Sequence, residues 1–552
     1  MATEYNFTQI YCNFSSQSRN QSDCSDDAIR LQIIDIVIVI LYLVMSMALG
    51  FYLSTKHETA ADYFLASRST KWPFVGLSLF ASNVSSSSLV GLAGDAYSTG
   101  ISVYNYEWFA TIVLIFIAVM CIPNMLEMEL FTMPEFLEKR YNVGTRYYFS
   151  LLTIFLNIFG GVAGSLYAGA LVLKMIFPKL ELWHTIAILA VIAGVYTITG
   201  GLKAVIYTDA LQAIILLFGS LMISAYALVE AGGWHAVKEE VPPDFLSLVR
   251  PVDDPGVPWT GLITGLPLLG LFYWCFNQTI AQRVLSSKDV SHGRIGCLLA
   301  GLLKLPVLFI MVLPGTMAKV IYPDLPKADF VYPILLLNLL PTGALGIVLS
   351  GFLAALMSQV DSILNSTSTL VTMDFVKKFK PDLQDRQLMN IGKFITFLCM
   401  VLSVCWAPFL GKIDSLFQFL QKLLSYLIPP VMSLFLGGFF WKGANSRGAI
   451  LALILGNVWG IAMFVIIEVL ELFYIHFLHV AAILFVLSFL VLVSASLISD
   501  ISNTEAQMKI VWSSKKFVDE VKATKEIPIW RHYLFHCLLL TLITLVIVGC
   551  FW

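Results

Sequence analysis

Charge is what this sequence has least of. Only 13% of its 552 residues are Asp, Glu, Lys or Arg, where a water-soluble chain of that length needs roughly a quarter to wet its surface. A formal net charge of −2, with no long acidic or basic tail, gives nucleic acid nothing to hold. No P-loop, GxSxG, HExxH or CxxC pattern occurs, so the chain is read as a non-enzyme without an organic cofactor. The nine cysteines show no metal spacing, and seven of them, lying mostly in apolar segments, are read as packing. His476 and His479 have no further ligand type beside them and are read as interfacial. Residues 1–27 lack the basic start and apolar core of a cleaved signal peptide.

What is abundant is apolar length. Hydrophobic residues make up 58% of the chain, parcelled into stretches of about 20, enough to cross a ~30 Å hydrocarbon core. Fourteen such segments are expected near 31–53, 72–97, 103–124, 147–176, 183–199, 204–230, 258–282, 295–318, 343–374, 391–409, 413–440, 448–470, 475–499 and 532–551. We number them α1 to α14. The fold class is thus an all-α membrane protein embedded in lipid.

Orientation follows from the basic residues. With the N-terminus outside, the cytoplasmic segments collect 23 of the 34 Lys and Arg, Arg283 among them, and the even number of spans returns the C-terminus outside. The polar segment 1–27 carries acceptor triplets for glycosylation at Asn6, Asn13 and Asn20, with Cys12 and Cys24 available for a bridge. Both features favour an extracellular N-terminus and a plasma-membrane location.

Several spans place polar groups where lipid should be, and each costs free energy unless it faces a cavity or a partner. α2 contains Ala81-Ser82-Asn83-Val84-Ser85-Ser86-Ser87-Ser88 ahead of Gly91 and Gly94. Two readings stand: a broken helix whose freed carbonyls face an ion, or a small-residue face packed closely on a neighbour. In α9, Ser358, Asp361, Ser362 and Asn365 fall at i, i+3, i+4 and i+7, one helix face of hard oxygen donors suited to an alkali cation. Asp209 in α6 is a second intramembrane carboxylate. Glu107 in α3 and Lys304 in α8 either pair or offer an acceptor and a donor to a polyhydroxyl ligand. Gln418 and Gln421 share one face of α11, and Tyr106, Tyr273, Trp274 and Phe417 supply flat surfaces for a sugar's C–H face.

At these residues the sequence resembles the sodium/glucose cotransporter branch of the sodium:solute symporter family. The resemblance runs colinearly through Asp62-Tyr63-Phe64-Leu65-Ala66, Ala81-Ser82-Asn83, Tyr106-Glu107-Trp108, Met133-Pro134-Glu135-Phe136, Gly200-Gly201-Leu202-Lys203-Ala204 and Tyr207-Thr208-Asp209. It continues through Tyr273-Trp274, Asn277-Gln278, Gln282-Arg283, Leu364-Asn365-Ser366-Thr367, Thr372-Met373-Asp374 and Phe440-Trp441-Lys442.

The resemblance implies two inverted repeats of five helices, 72–230 and 258–440, with helices broken at the bilayer midplane. Around them lie 28–56 and the peripheral region 448–552 with its cytoplasmic loop 500–531. It implies a sodium site at the carbonyls of Ala81, Val84 and Ala355 and the Ser358 hydroxyl. It further implies a sugar site at Asn83, Glu107, Lys304 and Gln421, closed inside by Tyr273 and outside by Leu92, Tyr106 and Phe417. Ser82, Asp209, Asp361 and Ser362 are grouped as a second sodium site, since two carboxylates on adjoining helices repel unless a cation or a proton sits between them.

Departures from the family pattern are Gln359 for a second sodium-site serine, Ser88 for a Gln or His, Ala110 for a serine and Gly270 for an Asn or Thr. The expected function is sodium-driven symport of a sugar or polyol. The alternatives are a carrier of a carboxylate, vitamin or amino acid, which Glu107 opposes by its charge, and a sugar-gated cation conductor or sensor.

Overall fold

A computed structural model describes residues 31–54, 58–177, 179–413, 415–523 and 528–552. Asn6, Asn13, Asn20, Cys12 and Cys24 lie outside the described residues. Among those described, the chain is helical, with only two isolated β-bridges, Thr70 to Ser287 and Arg250 to Pro258.

Ten helices are long and apolar enough to cross a membrane, and thirteen when each sharply bent pair counts as one span. The expected segment 183–199 appears as a shorter apolar helix, Leu182–Gly194. It belongs to a helical run, Leu182–Glu230, broken at Gly201 with φ 59° and ψ −178°. A side chain there would strain the backbone, so glycine lets α5 pass into α6 without a loop.

The bends fall where backbone donors or geometry fail. α2 divides into Trp72–Asn83 and Ser86–Thr99, 59° apart. Val84 and Ser85 are extended, and the Ser85 hydroxyl caps the second half by accepting from the Ser88 N–H at 2.9 Å. α7 breaks at extended Asn277, whose side chain accepts from the Thr279 N–H at 2.8 Å and starts a new helix, Gln278–Leu285. α8 bends by 42° around Pro306 and α11 by 56° at Pro429, since proline removes a donor and its ring crowds the preceding turn.

Burial separates centre from rim. In Ala344–Phe379, which contains α9, 94% of the most apolar window is buried, against 22% for Ile33–Leu53. α9 packs along α5–α6 and against both halves of α2. One face of the bundle gathers segments expected on the same side of the membrane. There Arg68 donates to the carbonyls of Glu129 and Leu130, Arg140 to those of Gly438 and Trp441, Lys378 pairs with Glu138, and Arg294 pairs with Glu520. At the opposite face the Leu248 N–H donates to the Phe551 carbonyl at 2.8 Å, joining the 231–257 loop to the C-terminal end.

The same face holds His476, at the N-terminus of Phe477–Ile498. Its Nε2 meets the Gly256 carbonyl at 3.0 Å and its Nδ1 accepts from the Leu478 N–H. Burial pushes its pKa down from 6.5 to about 4, so the folded chain keeps the ring neutral where an unfolded chain protonates it. Its contribution to stability is complete above pH 6.5 and is lost as pH falls toward 4. The thermal midpoint should decline across that window, and the decline should shrink in His476→Gln.

Candidate functional site

Inside the bundle, α2, α3, α4, α7, α9 and α11 enclose a cavity of about 180 Å³. The break in α2 turns Asn83, Ser85, Ser87 and Ser88 toward it. Glu107 and Gln421 face it from α3 and α11, and Tyr106, Tyr273, Trp274 and Phe417 line it as well. Tyr106 and Phe417 meet edge to face, ring centroids 5.4 Å apart. Wide helical turns at Leu156–Val162 and Phe272–Phe276 also border it; such π-type turns push side chains out of α-helical register.

Several expected residues lie elsewhere. Lys304 is fully buried behind Glu107: its ammonium pairs with Glu107 Oε2 and stands 5.4 Å from the Trp274 ring centroid. It therefore acts on the cavity through Glu107, whose charge it balances. Gln418, one turn from Gln421, is turned toward Asp95, which also accepts from the Ser415 hydroxyl at 3.2 Å. Leu92 is packed in the core and does not border the cavity.

A polar network adjoins the cavity where α2, α6, α7 and α9 meet. Asp209 is wholly buried and accepts from the hydroxyls of Ser78 (2.6 Å), Ser82 (3.1 Å) and Ser358 (2.5 Å). Ser82 and Ser362 share a hydrogen bond of 2.9 Å, and Ser362 approaches Asp361 Oδ1 at 3.3 Å. The cation in their midst is Arg283. Its guanidinium donates to Ser362 and to the Thr279 carbonyl, reaches Ser78 Oγ at 3.2 Å, and lies 3.4 Å from Asp209 Oδ2.

Arg283, counted among the basic residues of a cytoplasmic segment, has its side chain fully buried within the bundle. Taking a carboxylate and a guanidinium out of water costs several kcal/mol each, offset here by their mutual attraction and by hydroxyls that satisfy the remaining lone pairs and protons. A sodium ion at Ser82, Asp209, Asp361 and Ser362 would share its ligands with that guanidinium. Ala81 and Val84 fall at the end of the first half of α2, where a helix leaves carbonyls over. Ser358 faces the same region from α9. Among the described residues no cluster of His, Cys, Asp and Glu forms a metal-binding group.

Sequence reasoning missed Ser78, Arg283, Asn157 and Thr279 as parts of this machinery. Asn157 carried a visible signal, an amide in mid-span before Gly160-Gly161. It donates to Thr367 Oγ1 at 2.9 Å and borders the cavity.

Residues 63–456 match the sodium:solute symporter family. The chain belongs to that family. Sodium/glucose cotransporter 1 of Oryctolagus cuniculus is 34% identical over 548 residues, covering 88% of this chain and 82% of the relative. Sodium/myo-inositol cotransporter 2 of Homo sapiens is 36% identical over 474 residues, covering 78% and 70%. Among solved structures, a sodium-coupled sialic acid symporter in a substrate-bound outward-open state superposes with a TM-score of 0.75 at 21% identity, over 86% of this chain and 99% of that one. That likeness shows a shared many-helix fold. The broken α2, the cavity beside it and the Asp209 network thus sit within the helical frame this symporter family uses.

Proposed function

We propose that this chain carries a sugar or polyol across the membrane together with sodium, by alternating access. The observation that carries the reading is a single cavity combining the broken turn of α2, the Glu107 carboxylate, the Gln421 amide and flat aromatic walls. Acceptors and amides suit hydroxyl groups, and aromatic faces suit the C–H side of a ring. The names of the two curated relatives, a glucose and a myo-inositol cotransporter, support the same class of cargo.

In this reading sodium settles first between α2 and α9, at the carbonyls of Ala81, Val84 and Ala355 and the Ser358 hydroxyl, and holds the broken turn so that Asn83 faces the cavity. The sugar then binds, Tyr106 and Phe417 close over it, and the repeats 72–230 and 258–440 rock until Tyr273 yields. One cation falling through ~100 mV releases about 2.3 kcal/mol. A tenfold gradient adds about 1.4 kcal/mol, so one sodium sustains a sugar gradient of several hundredfold. A second sodium at Ser82, Asp209, Asp361 and Ser362, beside Arg283, belongs to the same proposal, and a charge-to-substrate flux ratio of one would sink it. Plasma-membrane residence with both termini outside completes the picture, supported by the basic bias of the shared face.

Uptake of labelled glucose, galactose, mannose and myo-inositol, with and without sodium, tests the function. Sodium-dependent accumulation of at least one is expected; accumulation of none overturns it, and current without accumulation favours a conductor. With the accepted substrate in hand, Gln421→Ala should weaken its apparent affinity by about 1–3 kcal/mol, the worth of a buried hydrogen bond, with little change in maximal rate.

A further inference from the structure

Two neighbours on α9 face different ways. Ser358 donates to Asp209 in the polar network, while Gln359, the next residue, borders the cavity. Gln359 is 9% exposed, and its Oε1 is buried without a hydrogen-bond donor. Across the cavity wall, Asn83 Oδ1 is in the same condition. Tyr273 borders the same space, yet neither amide oxygen has it as a partner.

A buried acceptor left unmet is costly, and native proteins hold few of them. Two such carbonyls on one wall, one from the break of α2 and one from α9, call for donors supplied from the cavity. Glu107, an acceptor, borders the same space. A ligand that satisfies these two oxygens as they stand must donate. Hydroxyls do so; a carboxylate or a fluorine can only accept.

We propose that Gln359 is a substrate-recognition residue that, with Asn83, selects a polyol presenting two hydroxyl donors to the α2–α9 wall. The family resemblance sets an ion-binding serine at this position; here the ligand serves the substrate instead. The inference rests on the sugar or polyol reading and narrows it: cargo lacking a donor at these two points is rejected even when its size and ring fit.

The test uses the full chain and whichever of glucose, galactose, mannose or myo-inositol it accumulates, together with that compound's single deoxy and fluoro analogues. In the parent chain, at least one deoxy position and its fluoro counterpart should lose apparent affinity roughly 5- to 150-fold, the range for an unmet buried hydrogen bond. Gln359→Met, which keeps length and removes the carbonyl, should weaken the parent sugar to a similar extent. The same variant should erase the distinction between that sugar and the sensitive deoxy analogue. Sodium half-saturation should stay unchanged.

Parent-like sugar affinity in a Gln359→Met chain that reaches the membrane overturns the inference alone. So does an equal loss for every analogue accompanied by weaker sodium activation, which makes Gln359 an ion ligand. If Gln359→Met fails to fold, Gln359→Glu serves: an added acceptor should keep the preference for donors, and a lost preference counts against the proposal. Failure of the parent chain to accumulate any of the four compounds overturns this inference and the functional reading together.

Discussion

Replacing Arg283 by Met should abolish transport and deplete folded protein, and the companion change Asp209→Asn should bring much of the folded protein back. The guanidinium is fully buried, with Ser78, Ser362, the Thr279 carbonyl and Asp209 around it. Removing it strands a buried carboxylate, a loss of about 3–5 kcal/mol against a total stability of only about 5–15 kcal/mol. Neutralising Asp209 at the same time removes the stranded charge while the amide oxygen still accepts from Ser78 and Ser82 and the amide N–H donates to the Ser358 hydroxyl. Thermal unfolding in detergent of the parent, both single variants and the pair gives the coupling energy directly. A coupling near zero would mean that these two charges do not depend on each other. Arg283→Lys should rescue only in part, because an ammonium cannot reproduce the planar fork that reaches α2, α6 and α9 at once.

Lys304→Met is expected to produce the second-largest loss, again about 3–5 kcal/mol of stability from an uncompensated buried charge, here Glu107. Pairing it with Glu107→Gln should restore a folded chain that still binds sugar poorly, since the cavity has exchanged a carboxylate for a weaker acceptor. Lys304→Met should thus lower the yield of folded protein, whereas Gln421→Ala should leave yield intact and change affinity alone. Measuring surface abundance beside sugar half-saturation separates the two. Equal yields for Lys304→Met and Gln421→Ala would contradict the placement of Lys304 behind Glu107.

Much of this architecture was legible in the residue pattern because lipid forbids unpartnered polar groups. Ser82, Asp209, Ser358 and Ser362 had to meet something, and periodicity put Ser358 and Ser362 on one helix face; the structure joins all four in one network. The break in α2 and the Glu107–Lys304 pair were each legible as one of two options.

Arg283 was not legible, because a cation at the end of an apolar run reads as an interfacial anchor. Only the interruption at Asn277 draws the following helix, Gln278–Leu285, into the bundle with every residue buried. Gln418 illustrates the opposite limit. Spacing placed it on the face of Gln421, yet one turn of rise along the helix carried it past the cavity to Asp95. The bends at Pro306 and Pro429 had a plain signal in the prolines themselves, which hydropathy averaging smoothed away.

Arg283 also decides which parts of the molecule travel together. It ties the first half of α2, through Ser78, to the second half of α7, which carries it, and the Thr70 N–H donates to the Ser286 carbonyl, both residues buried, beside the ends of the same two pieces. These two half-helices are therefore tied into one wedge, although they come from distant parts of the sequence. Any motion opening the cavity toward that face has to carry the wedge whole or slide its neighbours past it, and the extended residues at Val84–Ser85 and Asn277 mark where each half-helix parts from its continuation.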